Sequence, residues 1–401
     1  MPTPLVVVTL DRMPAWILPA YGATWVSMPA VTGLAARGIT CDGLVATGDD
    51  PREAARGMLG WLRDASRRVL VVTDDAAFAD VVGCDRDLVQ VPVVRPLRPT
   101  SVEDATNLGR LFAAAAAAVT APRHDVVWCH ASSLGLSWDA PPAFREAYLD
   151  PDDPPPPAGA AVPDLSVDAA TDPDLVTGLR HVFAGQLTLL DRCLGRLVAA
   201  AGDHTAMLVA GLRGMPLGLH GRLGPGPLPP YAELVRLPAI LIDRVGRMAG
   251  QRFDGLVVPA DIGATVADLT AAGGDAPHGD ALPLAPVGGD PRSGRSMAGL
   301  FTAWNAAGRD RVIVTGADGV AVVTNAWHLL RMVPRVVPAG DSSSTATALF
   351  VKPDDCFDLC DVADRCPAVA ESLRLLAEAA VCGDWVTAWQ GPLGAAEQGA
   401  G

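Results

Sequence analysis

The chain has 401 residues, a formal net charge of −14 at pH 7 and hydrophobic residues at 50% of its positions. This length is enough for a large buried core and about two domains, and the apolar content excludes a disordered chain. The negative charge argues against nucleic acid and against an anionic membrane surface as partners. Lys352 is the only lysine, and the bias towards Arg, Ala, Gly and Pro is typical of a high-GC bacterial genome.

The N-terminal segment has the pattern of a parallel α/β sheet. An apolar run, Leu5–Thr9, leads to Asp11, and a Tyr21-Gly22 turn and a Pro-led amphipathic segment, Met28–Arg37, follow. Short continuous apolar runs are typical of strands buried on both faces, and open α/β sheets bind ligands beyond the carboxyl ends of their strands. Asp11 is therefore predicted to be either a ligand to a metal or substrate, or a helix N-cap.

Strand-like runs alternate with helical patterns through the first 270 or so residues. Strands are predicted at Arg68–Thr73, Val91–Val94, Asp125–His130, Thr205–Ala210, Ala239–Ile242 and Leu256–Val258. Helices are predicted at Asn107–Val119 and Leu175–Ala201. This alternation predicts an α/β fold with a parallel sheet covered on both faces.

The last third of the chain is predicted to form a smaller α+β subdomain. A stretch rich in Gly, Pro and Asp suggests a division into a core (1–275), a linker (276–294) and a C-terminal subdomain (295–401). Antiparallel strands are predicted at Arg311–Thr315, Val320–Thr324 and Ala348–Val351, followed by a helix at Ala368–Val381. The spacing of Cys356, Cys360 and Cys366 fits no common zinc-binding pair, so these cysteines are predicted to be reduced and metal-free.

The opening segment resembles the start of the sulfatase family, which belongs to the alkaline-phosphatase-like superfamily. That family begins with a strand ending in Asp, a Tyr-Gly turn and a Thr-Pro-Asn-Leu-Asp-x-Leu-Ala-x-x-Gly helix, which matches Met28–Gly38 without a gap. Later segments resemble family elements in the same order: Val127–His130, Ala184–Asp191, Met215–Gly221, Pro238–Leu241, Asp261–Leu269, Asn325–Arg331 and Asp358–Asp364. The resemblance covers nearly the whole chain. It implies a divergent bacterial sulfuric ester hydrolase with a doubly wound α/β/α sandwich and a C-terminal α+β subdomain.

The nucleophile that this resemblance implies is missing. Sulfatases use a formylglycine made from Cys or Ser in a C/S-x-P-x-R motif. Matching the motif proline to Pro51 puts Asp49 in the nucleophile place and Glu53 in the arginine place. Because an aldehyde cannot form from Asp, no formylglycine is expected, and Asp49 and Asp50 are otherwise predicted to form a turn or a helix N-cap.

The implied metal site is depleted as well. The family's acidic pair at the end of the first strand is here Leu10-Asp11, and its later Asp-His or Asp-Asn pair is Leu212-Arg213, while His220 is retained. Calcium prefers six to eight oxygen ligands. Asp11 and His220 remain as candidate metal ligands, and the prediction is no cofactor, with a residual calcium or magnesium ion as the alternative.

Two polar residues are candidate substrate contacts. Arg213 would repel a cation but is suited to hold an anion as a bidentate fork. His130 ends a predicted strand, where it would contact substrate or form a hydrogen bond in the core. His220 likewise has a structural alternative, as a turn residue.

The sequence supports a catalytically degenerate sulfatase-like protein that binds a small anionic ligand or a protein partner. The alternative is an active sulfuric or phosphoric ester hydrolase with a rewired site, using Asp49 or Asp50 with Asp11 and His220. A third hypothesis is a small-molecule transferase on another α/β fold. No secretion signal or apolar run of about 20 residues is present, so a cytoplasmic location with no membrane partner is predicted, unlike many exported members of the family.

Overall fold

The computed structural model describes residues 4–61, 67–83, 86–121, 123–271, 293–302, 308–333 and 346–394. The strands are β1 Leu5–Asp11, β2 Ile39–Val45, β3 Val69–Thr73, β4 Asp87–Gln90, β5 Val126–Ala131, β6 Leu165–Ser166, β7 Met207–Arg213, β8 Arg222–Leu223, β9 Arg236–Ile242, β10 Gln251–Val257, β11 Val312–Gly316, β12 Gly319–Val323, β13 Trp327–Met332 and β14 Thr347–Val351. The helices are α1 Pro29–Arg37, α2 Pro51–Gly60, α3 Ala76–Val82, α4 Asn107–Thr120, α5 Pro142–Glu146, α6 Pro173–Ala201, α7 Ala232–Val235, α8 Pro259–Ala271, α9 Pro367–Val381 and α10 Trp385–Gln390.

Eight strands form the central sheet, in the order β10-β2-β9-β7-β1-β5-β3-β4. All neighbouring strands are parallel except the two pairs that include β9. In the centre of the sheet, Thr9 pairs with His130 and Asp11 pairs with Arg213. The predicted parallel arrangement of β1, β5 and β7, with their carboxyl ends at one edge, is confirmed.

The alternation of side chains along β1 explains the layered architecture. Leu5 and Val7 belong to a core formed with α2, α3 and α8, whereas Val6, Val8 and Leu10 belong to a second core formed with α1, α4 and α6. A strand buried on both faces is stable as a continuous apolar run. The chain therefore forms the predicted three-layer α/β/α sandwich.

The long helix α6 lies on one face of the sheet and is limited by recognisable caps. The Asp172 side chain accepts a hydrogen bond from the Asp174 backbone N–H, and Pro173 is in the first turn. The helix ends at Gly202, whose φ of 83° is in the left-handed region. Its predicted apolar residues are all buried: Leu179, Val182, Phe183, Leu187, Leu190, Leu194 and Leu197.

The C-terminal part forms a four-stranded antiparallel sheet in the order β11-β12-β13-β14, and α9 packs against it. This confirms the predicted small α+β unit. Apart from Ser293 and Gly294, the predicted linker lies outside the described residues.

Several strand boundaries differ from the predicted ones, and two of the differences have a clear structural basis or consequence. The strand expected at Val91–Val94 lies earlier in the chain, as β4. Its pairing with β3 ends with the hydrogen bond from the Val91 N–H to the Thr73 carbonyl at 2.8 Å, because Pro92 has no N–H to continue it. β7 continues three residues past its predicted end, which carries Arg213 to a position opposite Asp11. None of the helices in the described ranges is long and apolar enough to span a membrane.

Candidate functional site

The carboxyl ends of β1 and β7 are joined by an ion pair. The register between the two strands shifts after Leu10, which places Asp11 opposite Arg213. Arg213 Nε donates to Asp11 Oδ1 at 3.0 Å, and Nη2 donates to Oδ2 at 2.7 Å. Such bidentate pairs are among the stronger hydrogen-bonded contacts in proteins. Both oxygens of this buried carboxylate are therefore engaged by one guanidinium.

A second arginine flanks the same carboxylate. Arg12 has a φ of 63°, an uncommon left-handed conformation for a residue with a side chain. Its Nε lies 4.0 Å from Asp11 Oδ2, and its Nη2 donates to the Pro225 carbonyl at 3.2 Å. Burial lowers the pKa of Arg12 to about 10. Burial alone would raise the pKa of Asp11, but the charge and hydrogen bonds of Arg213 outweigh it, so this pKa lies below its ordinary value.

The two acids that precede α2 have separate roles. Asp50 Oδ1 accepts from the Arg52 N–H at 2.8 Å, so the predicted N-cap is confirmed at Asp50. The carbonyl of Asp49 accepts from Arg213 Nη1 at 3.0 Å, and its Oδ2 accepts from the Ala317 N–H at 2.9 Å. Asp49 thus connects the start of α2 to Arg213 and to the β11–β12 turn.

Three of the residues just described, Arg12, Asp49 and Arg213, line a cleft with a volume of about 310 Å³. Arg12, Arg213 and Asp49 form its charged side, and the opposite walls come from Pro225–Leu228 and Val314–Asp318. The cleft lies at the carboxyl ends of β1 and β7, the edge where open α/β sheets bind ligands. It is the candidate functional site, and Arg213 and Asp11 are the two predicted site residues that it brings into direct contact.

His220 lies in a neighbouring groove that shares Pro227, Leu228 and Asp318 with the cleft. Its ring stacks on Tyr231 with 3.7 Å between ring centroids. Nδ1 is 2.8 Å from Glu233 Oε1, and Nε2 is 3.1 Å from the Asp358 carbonyl. Burial lowers the pKa of His220, but these two hydrogen bonds outweigh it and raise the pKa above its ordinary value. Both nitrogens are thus occupied by acceptors within the protein.

His130 is completely buried in the core rather than exposed in the cleft. Its Nδ1 is 2.9 Å from Thr9 Oγ1, which also accepts from Trp128 Nε1 at 2.9 Å. The ring stacks on Phe78 at 3.9 Å, and Nε2 is 3.7 Å from Asp75 Oδ2. These contacts match the alternative prediction of a core hydrogen-bonding histidine.

The donor set at the strand ends does not fit calcium or magnesium. Arg213 occupies both oxygens of Asp11 and brings a positive charge to the place where a cation would be held. Within the described ranges, no three His, Cys, Asp or Glu side chains are grouped so as to hold a metal ion. No step that depends on a bound metal is therefore derived for this site.

Three residues of this region were not recognised from the sequence: Arg12, Glu233 and Asp358, whose backbone carbonyl contacts His220. Arg12 is adjacent to Asp11 in the chain, but only its left-handed backbone turns its side chain back towards the carboxylate. Glu233 is 13 residues from His220 and meets it because α7 begins beside the turn that carries the histidine. Such contacts depend on tertiary structure and have no signature in the local sequence.

Comparisons with known proteins identify the fold. No family model matches the sequence, and no curated protein matches it. Among solved structures, a phosphonate monoester hydrolase from Silicibacter pomeroyi is 14% identical with a TM-score of 0.68, covering 97% of this chain and 96% of that chain. A phosphonate monoester hydrolase of Agrobacterium radiobacter is 14% identical with a TM-score of 0.67, covering 96% of both chains. A putative sulfatase from Bacteroides thetaiotaomicron is 14% identical with a TM-score of 0.65, covering 96% of this chain and 92% of that chain.

The chain therefore has the alkaline-phosphatase-like fold of these sulfatase and phosphonate monoester hydrolase structures, and the fold predicted from the sequence is confirmed. Each of the three structures is only 14% identical to the chain. At that level, similarity establishes the fold and leaves the chemistry to be argued from this chain's own residues.

Proposed function

We propose that this chain is a sulfatase-like protein without ester-hydrolase activity, which binds a small anionic ligand in the cleft beside Asp11 and Arg213. The observation that carries the proposal is the bidentate ion pair between these two residues. In the family that the chain resembles, a metal cation belongs at this position. Here a guanidinium from the chain itself supplies the positive charge.

The loss of hydrolysis follows from what the reaction needs. Cleaving a sulfate or phosphate ester takes an activated nucleophile and a group that stabilises developing negative charge. The nucleophile place holds Asp49, whose carbonyl and one carboxylate oxygen are already hydrogen-bonded within the protein. His220 is bonded through both nitrogens to Glu233 and Asp358, so it is not placed to move a proton to or from a ligand.

Anion binding is supported by the arginine donors around Asp11. Arg12 and Arg213 flank this one carboxylate, and because Asp49 and Asp318 also line the cleft, the support comes from directed N–H groups and not from net charge. Arg12 Nη1 has no acceptor among the described residues, although the side chain lines the cleft. Arginine forks suit carboxylate, sulfate and phosphate groups. Asp49 reduces the local positive charge but directs one oxygen to the Ala317 N–H.

Titration calorimetry with inorganic phosphate and sulfate tests the binding half of the proposal. The wild type is expected to bind one anion, and Arg12→Met is expected to weaken binding at least about tenfold, the loss of one charge-assisted contact. The matched control is Arg68→Met. Arg68 is an exposed arginine that pairs with Asp125 and does not line the cleft. An affinity that Arg12→Met leaves unchanged would contradict the proposal.

The absence of ester-hydrolase activity is tested by an assay with nitrophenyl sulfate and nitrophenyl phosphate in the presence of calcium or magnesium. No turnover above the buffer rate is expected. Intact-mass spectrometry of protein from a host that makes formylglycine should show no aldehyde, because no Cys or Ser is in the motif place. Turnover that Asp11→Ala abolishes would show instead that the site is catalytic.

A rewired phosphoric or sulfuric ester hydrolase is the second candidate. It is favoured by Asp49 and Arg213, which line one cleft at the strand ends, and by Asp11, which is paired with Arg213. In such an enzyme the carboxylate of Asp49 would attack phosphorus, the ester P–O bond would break and the alcohol would leave with a proton from water, while Arg213 stabilises the developing charge. Water would then hydrolyse the aspartyl phosphate to inorganic phosphate and free Asp49. The distinguishing result is phosphate-ester turnover that Asp49→Asn removes and that the neighbouring cap variant Asp50→Asn retains.

A further inference from the structure

A second cavity, with a volume of about 720 Å³, lies apart from the cleft and shares none of its lining residues. One wall is the loop around Trp16 and Trp25, and a second is formed by Asp42, Arg236 and Arg252 on the neighbouring strands β2, β9 and β10. The third wall comes from the C-terminal sheet, with Asn325 in the β12–β13 turn and the segment Lys352–Phe357 after β14. The cleft, by contrast, contacts this sheet at the β11–β12 turn, which is its other end. We call this space the aromatic cavity.

Arg236 is the unusual residue of this cavity. It is half-buried, and its Nη2 donates to the Asp42 carbonyl at 2.8 Å. No carboxylate of the described residues forms an ion pair with it, and its Nε and Nη1 have no acceptor among them. Burial lowers the pKa of Arg236, as expected for a guanidinium removed from water without a partner.

The other cations of the lining are already neutralised by acids of the chain. Arg252 forms a bidentate pair with Asp42, with Nε 3.0 Å from Oδ2, and its Nη1 donates to the Ala20 carbonyl at 2.8 Å. Lys352 Nζ contacts Asp358 Oδ1 at 2.5 Å. The remaining acid of the lining, Asp254, is exposed, where water screens its charge. The unmatched charge within the cavity is therefore the positive charge of Arg236.

Aromatic rings complete the lining. Trp16 and Phe357 meet edge to face with 5.7 Å between ring centroids, and Trp25 is 41% exposed. The indole nitrogen of Trp16 is buried, and none of the described residues accepts a hydrogen bond from it. This nitrogen is enclosed by the protein, so a ligand in the cavity would contact Trp16 through the rest of its ring.

We infer that the aromatic cavity binds an organic anion with a flat aromatic body, whose anionic group is held by Arg236 and whose ring packs against Trp16 and Phe357. An unpaired, partly buried guanidinium is unfavourable until an anion compensates it, and arginine can hold carboxylate, sulfonate or phosphate through two parallel hydrogen bonds. The volume is within the range of small-molecule sites, which combine apolar and aromatic walls with a few polar groups. This site is independent of the cleft and of the function proposed for it.

Paired probes test this inference: naphthalene-2-sulfonate and its neutral analogue naphthalene-2-sulfonamide, titrated by calorimetry against the full chain. The sulfonate is expected to bind to the aromatic cavity at least tenfold more tightly than the sulfonamide. Arg236→Met is expected to remove that tenfold preference, and Arg236→Lys is expected to retain part of it because the charge remains. Arg68→Met, at an exposed arginine that lines neither cavity, is the matched control and should leave sulfonate binding unchanged.

Other outcomes would overturn the inference. These are equal affinity for the two probes, sulfonate binding that survives Arg236→Met, or sulfonate binding that Arg68→Met weakens as much as Arg236→Met does. If Arg236→Met fails to fold, Trp16→Ala together with Arg236→Lys carries the test. Loss of the indole ring should then weaken the sulfonate by at least threefold, and unchanged affinity in both variants would refute the assignment.

Discussion

The cleft and the aromatic cavity both present an arginine from the central sheet, yet the two arginines differ in their partners. Arg213 is held by Asp11 through two hydrogen bonds, whereas Arg236 has one hydrogen bond, to a backbone carbonyl. The charge of Arg213 is balanced by a carboxylate of the chain, whereas no carboxylate of the described residues forms an ion pair with Arg236. The difference shows that the partner of a buried charge, more than the charge itself, indicates what a cavity can bind.

The comparison also bears on how a metal site can be lost. Removing metal ligands one at a time would leave a buried carboxylate without compensation, which is strongly unfavourable. An arginine at position 213 compensates Asp11 directly, as a bound cation would. We therefore interpret Arg213 as a structural replacement for a metal, with Arg12 as the more available contact for an anion.

Breaking the Asp11–Arg213 pair should have the largest effect. Arg213→Met or Asp11→Asn is expected to lower the free energy of unfolding by about 3 kcal/mol, because the first leaves the buried Asp11 carboxylate with only the more distant Arg12 and the second leaves the half-buried Arg213 without its acid. The double variant should lose less than the sum of the two. Denaturant unfolding of the three variants measures the effect. As a control, Asp203→Asn removes the exposed partner of Arg37 and should change stability by less than about 0.5 kcal/mol. Additive losses would show that the pair is not coupled.

Replacing the guanidinium by a carboxylate should expose the metal site that the family would have here. Arg213→Asp places a second acid opposite Asp11 in the same register. Calcium binding with a dissociation constant of about 10⁻³ M is expected, in the range of weak sites with few carboxylates. Calorimetry with calcium measures it, and Arg213→Met is the control that removes the cation without adding an acid. The interpretation of Arg213 as a replacement fails if the wild type binds calcium as tightly as Arg213→Asp.

Much of this fold could be predicted from the sequence because it depends on local patterns. The apolar run Leu5–Thr9 predicts a buried strand, and the apolar face of α6 predicts its burial. The site was harder to predict because it depends on the residue at which each strand ends and on the register between neighbouring strands. Arg213 was recognised as a possible anion fork, but its use of Asp11 follows from three extra residues of β7 and a register shift after Leu10.

The aromatic cavity could not have been predicted, for the same physical reason. The register between β2 and β9 shifts after Cys41, and the register between β10 and β2 shifts after Phe253. Such irregularities redirect side chains near them. They lie next to Asp42, which pairs with Arg252 and leaves Arg236 with only a carbonyl. Nothing in the segment Arg236–Leu241 distinguishes this arginine from one that is paired.

Replacing Arg236 with an apolar residue should stabilise the protein, the opposite sign to the effect at Arg213. Arg236→Met is expected to raise the free energy of unfolding by about 1 kcal/mol, because the stem still packs and the unpaired charge is gone. Denaturant unfolding measures the effect. The control is Arg252→Met in the same cavity, which leaves Asp42 without its arginine and should lower the free energy of unfolding. Destabilisation by both variants would mean that Arg236 is compensated by a group other than a ligand.

The smallest effect concerns pH and the groove beside the cleft. The pKa of His220 is raised by Glu233 and the Asp358 carbonyl, so protonating the ring favours the folded state. Its contribution to stability should be complete below the ordinary histidine value of 6.5 and should be lost as the pH rises through the higher folded-state pKa. The unfolding free energies of the wild type and His220→Gln, compared between pH 5 and 9, should therefore converge as the pH rises. His204→Gln, which replaces a solvent-exposed histidine in the same way, is the control. A gap between wild type and His220→Gln that stays constant or widens above pH 6.5 would mean that the ring is neutral in the folded protein. In that case the groove next to the cleft would have one positive charge fewer to offer an anion.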